Sequence, residues 1–297
     1  MLRKSLSIVL LLIFFIGFGQ KSVLKKQISE ITKGKNATVA VSVNGIGFPF
    51  TFHNENASKK LPMLSVFKFH VALATLNLVD QGKFSLSQKF LIKKEDLLLN
   101  TYSPLRDRFP AGNIELTLDE LIWYSVSLSD NNTTDVLLRL IGGTETVQNF
   151  MDSRNVRDFQ IKYNEAQMHQ GTEFFYPNYT STKSLTKLYK DFHQGKIVSE
   201  QSTDYLFRIL QRTETGGNKL KEQLPAGSVA NKTGSSGKDK NGLTVAENDS
   251  GIITLPNGKR YAVSVFISDS TESYETNCRM ISDISRKIWD YLSVTGN

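Results

Sequence analysis

The sequence predicts an α+β fold: a five-stranded antiparallel sheet flanked by helices, joined to a second lobe that is all helical. Three observations lead there. Runs of alternating, β-branched residues fall into two groups, one near each end of the chain. Most runs with helical periodicity lie between those groups, a segregation that marks α+β rather than alternating α/β architecture. The chain has 297 residues, 39% hydrophobic and 22% charged, enough for one large domain or two intertwined lobes and inconsistent with collagen, coiled coil or disorder.

In chain order, residues 21–34 place Val23, Ile28 and Ile31 for one face of an amphipathic helix. Ala37–Val43 alternates and is β-branched, Phe48–Phe52 is aromatic, and Asn44-Gly45 between them signals a hairpin. Ser65–Leu78 is apolar and helical. Residues 117–126, 131–141, 144–153, 182–193 and 199–212 also read as helices, the second of these stopping near Gly142-Gly143. Residues 155–181 lack sustained periodicity; so long an irregular loop is usually functional or disordered. Strands return at Ser228–Lys232, Gly251–Leu255 and Tyr261–Ser268, with Pro256-Asn257-Gly258 turning the last pair. Residues 272–292 close the chain as a helix that can pack with the first one on one face of the sheet.

Arg3 and Lys4 precede an apolar run from Ile8 to Phe18, and Gly17-Phe18-Gly19 offers small residues before a cut after Gly19. This is the three-part pattern of a signal peptide, and the run is shorter than the roughly 20 residues a spanning helix needs. The expectation is a signal peptide over 1–19 and a catalytic domain over 20–297, with an α/β lobe at about 20–60 and 213–297 and a helical lobe at about 61–212. The product is expected to be periplasmic or secreted, monomeric, and off the membrane after cleavage. One cysteine, Cys278, leaves no intrachain disulfide. Thirty-six Lys and Arg against 29 Asp and Glu give a net charge of +7, with the lysines scattered rather than clustered as nucleic-acid binding requires. Histidines at 53, 70, 169 and 193 lack metal-ligand spacing, so neither a metal nor another cofactor is expected.

Four segments carry chemistry. Ser65-Val66-Phe67-Lys68 puts a lysine one helical turn after a serine, on the same face, at the start of an apolar helix. Ser-x-x-Lys spacing alone is weak, since it recurs at Ser22/Lys25, Ser184/Lys187 and Ser235/Lys238. Ser129-Asp130-Asn131 lies between two helices and reads first as an N-cap, which is compatible with aiming neighbouring side chains into a cleft. Lys232-Thr233-Gly234 lies on a strand, where a lysine, a hydroxyl and a glycine make an anion-binding edge; the bland alternative is a solvated edge strand. Glu165, in Asn164-Glu165-Ala166-Gln167-Met168-His169, sits in the irregular loop, where a carboxylate held beside a serine can activate water.

The first three motifs occur once in this order, 64 and 103 positions apart. Their combination resembles a class A serine β-lactamase over essentially the whole chain after residue 19. Tyr102-Ser103-Pro104, Ile141-Gly142-Gly143, Leu224-Pro225-Ala226-Gly227, Asn248-Asp249-Ser250-Gly251 and Ala262–Asp269 extend the likeness toward the PER-type and VEB-type extended-spectrum branch. The resemblance implies the serine β-lactamase/D,D-peptidase fold and hydrolysis of small-molecule β-lactams. It implies Ser65 as nucleophile, with the Ser65 and Ser235 N–H groups as oxyanion hole and Ser129 as proton relay. Lys232 and Thr233 would bind the substrate carboxylate, Asn131 the side-chain amide and Lys68, and Glu165 would activate the hydrolytic water. Tyr102, Ser235 and His169 complete the substrate-binding set. Both Lys68 and Glu165 stand as bases for acylation. Departures accompany the likeness. His169 replaces the common Asn four residues after the glutamate, Tyr163 and Asn178 replace the loop's ion pair, and no arginine aligns with the usual carboxylate-binding one. A penicillin-binding D,D-peptidase is the runner-up, argued against by Glu165; a non-hydrolytic β-lactam sensor is another.

Overall fold

The computed structural model describes residues 22–295; the expected signal peptide lies outside them. Helix α1 (22–32) leads into strands β1 (Thr38–Ile46) and β2 (Thr51–His53). A short strand β3 (Leu61–Pro62) and a 3₁₀ turn (Leu64–Val66) enter α2 (Phe67–Asp80). There follow β4 (Lys89–Ile92), α3 (Pro104–Arg108), β5 (Ile114–Thr117), α4 (Leu118–Val126), α5 (Asn131–Ile141) and α6 (Thr144–Ser153). Next come β6 (Phe159–Gln160), α7 (Glu165–Met168), β7 (Tyr179–Thr180), α8 (Thr182–His193) and α9 (Glu200–Gln211). Strands β8 (Val229–Ser235), β9 (Thr244–Thr254) and β10 (Arg260–Ser270) and helix α10 (Tyr274–Thr295) finish the chain.

The expected five-stranded sheet is present, in the order β2-β1-β10-β9-β8, and is antiparallel throughout. One face buries Val39, Val41, Val43, Val263, Val265 and Ile267 with Leu24, Ile28, Ile281, Ile284 and Ile288 of α1 and α10. The alternate residues Ala40, Ala262 and Phe266 join a larger core built mostly from α2, α4–α6, α8 and α9. This period-2 division explains why the sheet separates two cores. Helix α2 is the axis of the larger one, with every residue from Phe67 to Leu76 buried. His70, on α2, stacks on Phe159 of β6 at 4.4 Å, and burial pushes its pKa down to about 3, keeping the ring neutral.

The structure corrects four expectations. On α1 the buried face is Leu24, Ile28 and Ile31, at i, i+4 and i+7, while Val23 points to solvent. Asn44-Gly45 is not the hairpin turn: both residues lie in β1 and pair with β10, and the chain reverses at 47–50. The glycine serves close approach instead, because a Cβ on Gly45 would stand 2.6 Å from the Phe48 carbonyl oxygen. The segment 155–181 is folded rather than irregular, and β6 and β7 join β3 in a second small sheet. Its elements are too short to show periodicity. Strand β9 begins at Thr244, seven residues before the expected Gly251, because the polar run Glu247-Asn248-Asp249-Ser250 is buried and partnered rather than looped out. Hairpin β4–β5 and helix α3 were not foreseen.

Gly251 lies opposite Asn231 of β8, and a Cβ there would meet the Ala230 carbonyl oxygen at 2.1 Å. Gly251→Ala is therefore expected to lower stability by about 1–3 kcal/mol, the usual cost of overpacking. Denaturant unfolding checks this; an unchanged midpoint would show that β8 can move away freely.

Candidate active site

The site is a cleft of about 420 Å³ where the turn before α2, the α4–α5 turn, the segment between α9 and β8, β8 and the start of α10 converge; Ser65, Tyr102, Ser129, Asn131, Thr233 and Ser235 line it. Ser65 sits in the 3₁₀ turn that starts α2. The residue before it, Leu64, has φ 46°. A branched residue in that region costs on the order of 1–3 kcal/mol and marks a backbone held in place by its surroundings. Ser129 has φ 60°. Strained backbone thus presents both serines, and a structural cap underlies the second. Asp130 is fully buried and caps α5 through Thr133 N–H at 2.9 Å, while its other oxygen accepts Ser103 Oγ–H and Leu105 N–H, each at 2.8 Å. The cap turns Ser129 and Asn131 inward.

Lys68, fully buried one turn beyond Ser65, ties these pieces together. Its Nζ donates to Ser129 O at 2.7 Å and Asn131 Oδ1 at 2.5 Å, and stands 2.9 Å from Glu165 Oε1. Two hydrogen-bond acceptors and one carboxylate surround the ammonium. The contact with Glu165 is an ion pair without hydrogen-bond alignment, and Oε1 has no hydrogen-bond donor among the described residues. A carboxylate oxygen in that condition keeps its lone pairs for another proton source.

Across the cleft, Lys232 Nζ donates to Ser129 Oγ at 2.8 Å and to Thr233 O at 3.0 Å. Burial, and then the charge of Lys68, hold its pKa well below the ordinary lysine value. Strand β8 ends the sheet, yet it is not a solvated edge: it is buried from Val229 to Gly234. A Cβ on Gly234 would lie 2.4 Å from Met63 O and 3.1 Å from Ser65 N, so only glycine lets the strand meet the turn that carries Ser65. Asn248 of β9 reinforces the junction, donating to Pro62 O at 2.9 Å and Met63 O at 3.2 Å.

Glu165 opens the short helix α7, whose N-cap Asn164 forms a capping box with Gln167. The two leading N–H groups, of Glu165 and Ala166, go to the two oxygens of Asp135 at 2.8 and 2.9 Å. Burial raises the Asp135 carboxyl to about 6, opposed by those N–H groups. Asn178 holds the loop's base where an ion pair was absent from the sequence. Its Oδ1 accepts Lys162 N–H at 2.7 Å and Tyr163 N–H at 2.9 Å, and its Nδ2 donates to Tyr163 O at 2.7 Å. Tyr176 fastens the far side, its hydroxyl 2.6 Å from Asp269 Oδ1.

Of the ten residues singled out in the sequence, nine belong to this constellation. His169 is exposed after α7 and does not line the cleft. Sequence reasoning missed Asp135, which looks like any polar helical residue, and a buried ion pair between Lys219 and Glu247. Lys219 lines the cleft and donates to Ser235 Oγ at 2.9 Å, while Ser235 Oγ donates to Glu247 at 2.5 Å. Thr215, 2.7 Å from Thr233 between hydroxyls, and Tyr274 also line it.

Comparison with known proteins agrees with this geometry. Residues 23–292 match the family model described as the beta-lactamase enzyme family. The chain is 40% identical over 294 residues to beta-lactamase VEB-1 of Pseudomonas aeruginosa, covering 97% of each chain. It is 38% identical to extended-spectrum beta-lactamase PER-1 of Pseudomonas aeruginosa, covering 95% of this chain and 92% of the relative. The crystal structure of TLA-3 extended-spectrum beta-lactamase superposes with a TM-score of 0.90 at 43% identity, over 92% of this chain and 99% of that one.

Asp135→Ala leaves the Glu165 and Ala166 N–H groups without their acceptor. A hydrogen bond to a charged group contributes about 1.5–3 kcal/mol, so these amides should exchange with deuterium at least about tenfold faster. Unchanged exchange would mean the loop is held elsewhere. The raised carboxyl also means that the folded protein holds this proton more tightly than the unfolded chain. Its stabilising contribution is complete below the ordinary 3.8 and is lost as pH rises through about 6. The stability of Asp135→Asn relative to wild type should therefore rise between pH 4 and 6; a flat difference would place the carboxyl's titration elsewhere.

Proposed function

The chain belongs to the β-lactamase enzyme family, and from that premise we propose how its residues divide the hydrolysis of a β-lactam. It is a class A serine β-lactamase. Ser65 Oγ attacks the lactam carbonyl, opening the ring and leaving an acyl group on the serine. The Ser65 and Ser235 N–H groups stabilise the oxyanion. Ser129, whose Oγ accepts a hydrogen bond from Lys232, passes its own proton to the departing ring nitrogen and takes one from the Lys232 ammonium in its place. Thr233 with Thr215, and Lys219 behind Ser235, receive the substrate carboxylate, so Lys219 fills the role for which no arginine aligned. Asn131, fixed by Lys68 and by Thr101 Oγ1 at 2.7 Å, and the wall formed by Tyr102 hold the side chain of the antibiotic.

One observation carries hydrolysis over mere acylation: the Glu165 carboxylate is held at the Lys68 ammonium with an oxygen that no protein donor occupies. It can take a proton from water and direct that water at the acyl ester. The same oxygen, with Lys68 donating to Ser129 O and Asn131 Oδ1 and paired in charge with Glu165, favours Glu165 over Lys68 as the base in acylation. A D,D-peptidase or a sensor has no use for such a group. The pattern of Arg3, Lys4 and the apolar run supports export and a role in antibiotic resistance.

Ser65→Ala should abolish both covalent adduct and turnover. Glu165→Ala should keep acylation and slow release by about 10²–10⁴-fold, the usual contribution of a general base. Intact-protein mass spectrometry should then show a persistent adduct with benzylpenicillin on Ser65. Turnover near wild type in Glu165→Ala would remove the glutamate from this role.

The loop fastened by Asn178, Asp135 and Tyr176 replaces the common ion-pair lock, and the small Ser235 and Ser236 leave room along β8. Bulky oxyimino-cephalosporins should therefore be substrates alongside penicillins. The ratio of kcat/KM for benzylpenicillin over cefotaxime should lie under about 10⁴, or about 5.5 kcal/mol of discrimination. A larger ratio would identify a narrow penicillinase.

A further inference from the structure

A second cavity, of about 530 Å³, shares no residue with the active-site cleft. It lies beside β1 and β2 at one edge of the sheet, through Asn44 and His53, the turn 154–158 after α6, and helix α8. Its charge is one-sided. Five cations line it, Arg154, Arg157, Lys183, Lys187 and Lys190, against two carboxylates. Lys183, Lys187 and Lys190 stand at i, i+4 and i+7, which places them on one face of α8.

The two carboxylates are already engaged. Asp191 pairs with Lys187 and stands 3.8 Å from Lys196, and Asp158 accepts Ser181 Oγ–H at 3.3 Å. Arg154 reaches Asn77 and lies over the Phe150 ring. Among the described residues no carboxylate comes within 4.0 Å of Arg157, Lys183 or Lys190. Three cations therefore face one concavity without a counter-charge, in a protein whose net charge is +7. Concave walls focus such a field. The cavity also has a built polar wall. His53 Nδ1 lies 3.1 Å from Ser42 Oγ, and Ser42 Oγ lies 3.0 Å from Thr182 Oγ1, both hydroxyl residues being fully buried. Thr182 in turn donates to Ala57 O at 3.2 Å. This chain anchors the imidazole from behind.

We propose that this cavity is a binding site for a multiply charged phosphate-bearing anion, with Arg157, Lys183 and Lys190 as its counter-ions and His53 as its polar wall. The match is one of charge and size. Three cations without counter-charge suit a ligand carrying several negative oxygens, which Arg and Lys recognise through charge-assisted hydrogen bonds. The volume exceeds that of a single phosphate and leaves room for a second phosphate or for the body of a headgroup. Free phosphate esters and the headgroups of anionic lipids share this chemistry. The site does not depend on the roles assigned to Ser65 or Glu165.

The test uses the mature enzyme and two probes. Tripolyphosphate is titrated calorimetrically and by the ring-proton NMR signals of His53; vesicles of phosphatidylglycerol, with phosphatidylcholine as control, are added in competition. Saturable binding at one site with a shift of the His53 signals is expected. Lys183→Glu with Lys190→Glu should weaken it about tenfold or more. Lys35→Glu with Lys83→Glu, which changes the net charge equally at exposed positions outside the cavity, should leave it within about twofold. β-Lactam hydrolysis should be unchanged in both double variants, which also reports that they are folded. Displacement of tripolyphosphate by phosphatidylglycerol vesicles assigns the site to lipid headgroups; no displacement assigns it to soluble phosphate compounds. Equal weakening by both pairs of substitutions, no effect on His53, or no saturable binding would overturn the proposal and reduce the patch to diffuse surface charge.

Discussion

The buried ammonium of Lys68 is the interaction around which the catalytic architecture is arranged. A lysine without solvent is costly unless its charge is met, and here it is met by three groups from three places: hydrogen bonds to the Ser129 carbonyl and the Asn131 side chain, and an ion pair with Glu165. Satisfying that one charge brings together the start of α2, the start of α5 and the loop over 155–181. Each group it recruits is one to which we assign a task in hydrolysis. The positive φ angles of Leu64 and Ser129 are the backbone's share of the cost, tolerated because the packed core of α2 and the Asp130 cap over-determine both turns.

The sheet imposes a second constraint. Its terminal strand lies against the backbone of the Ser65 turn, an approach that only Gly234 allows. It must also carry polar side chains into a dry interface. Strand β9 resolves this with buried partners: Glu247 with Lys219 and Ser235, Asn248 with the Pro62 and Met63 carbonyls, and Asp249 with Asn231. Burial raises the Asp249 carboxyl to about 6, with Lys219, the Asn231 hydrogen bond, Leu220 N–H and Lys221 acting in the opposite direction. These pairs give the sheet edge a fixed distance from the helical side. Glu165 depends on an analogous arrangement, since α7 has only one turn and cannot hold its own position. Asp135 and Asn178 supply from outside what so short a helix lacks.

What the sequence determined by itself was local. The helices over 131–141, 144–153 and 182–193 were legible to the residue because their apolar spacing and caps are written in consecutive positions. The existence of five strands was legible, with β2 shifted from the expected Phe48–Phe52 to Thr51–His53, and Ser65, Lys68, Ser129, Asn131, Glu165 and Lys232 were singled out through three motifs and a loop glutamate in a fixed order. Tertiary structure alone decided which polar residues would be buried. Glu247 and Asp249 precede the strand expected from Gly251 and lie in the middle of β9; Asn44-Gly45 reads as a turn and lies within β1; Asp135 and Lys219 carry no signal in the sequence and are the acceptor under Glu165 and the cation behind Ser235. The reason is the same in each case. A polar side chain reads as solvent-facing until its partner is known, and these partners lie 12 to 30 positions or more away in the chain. Only folding removes the water that would otherwise satisfy them, and with it the local signal that misled.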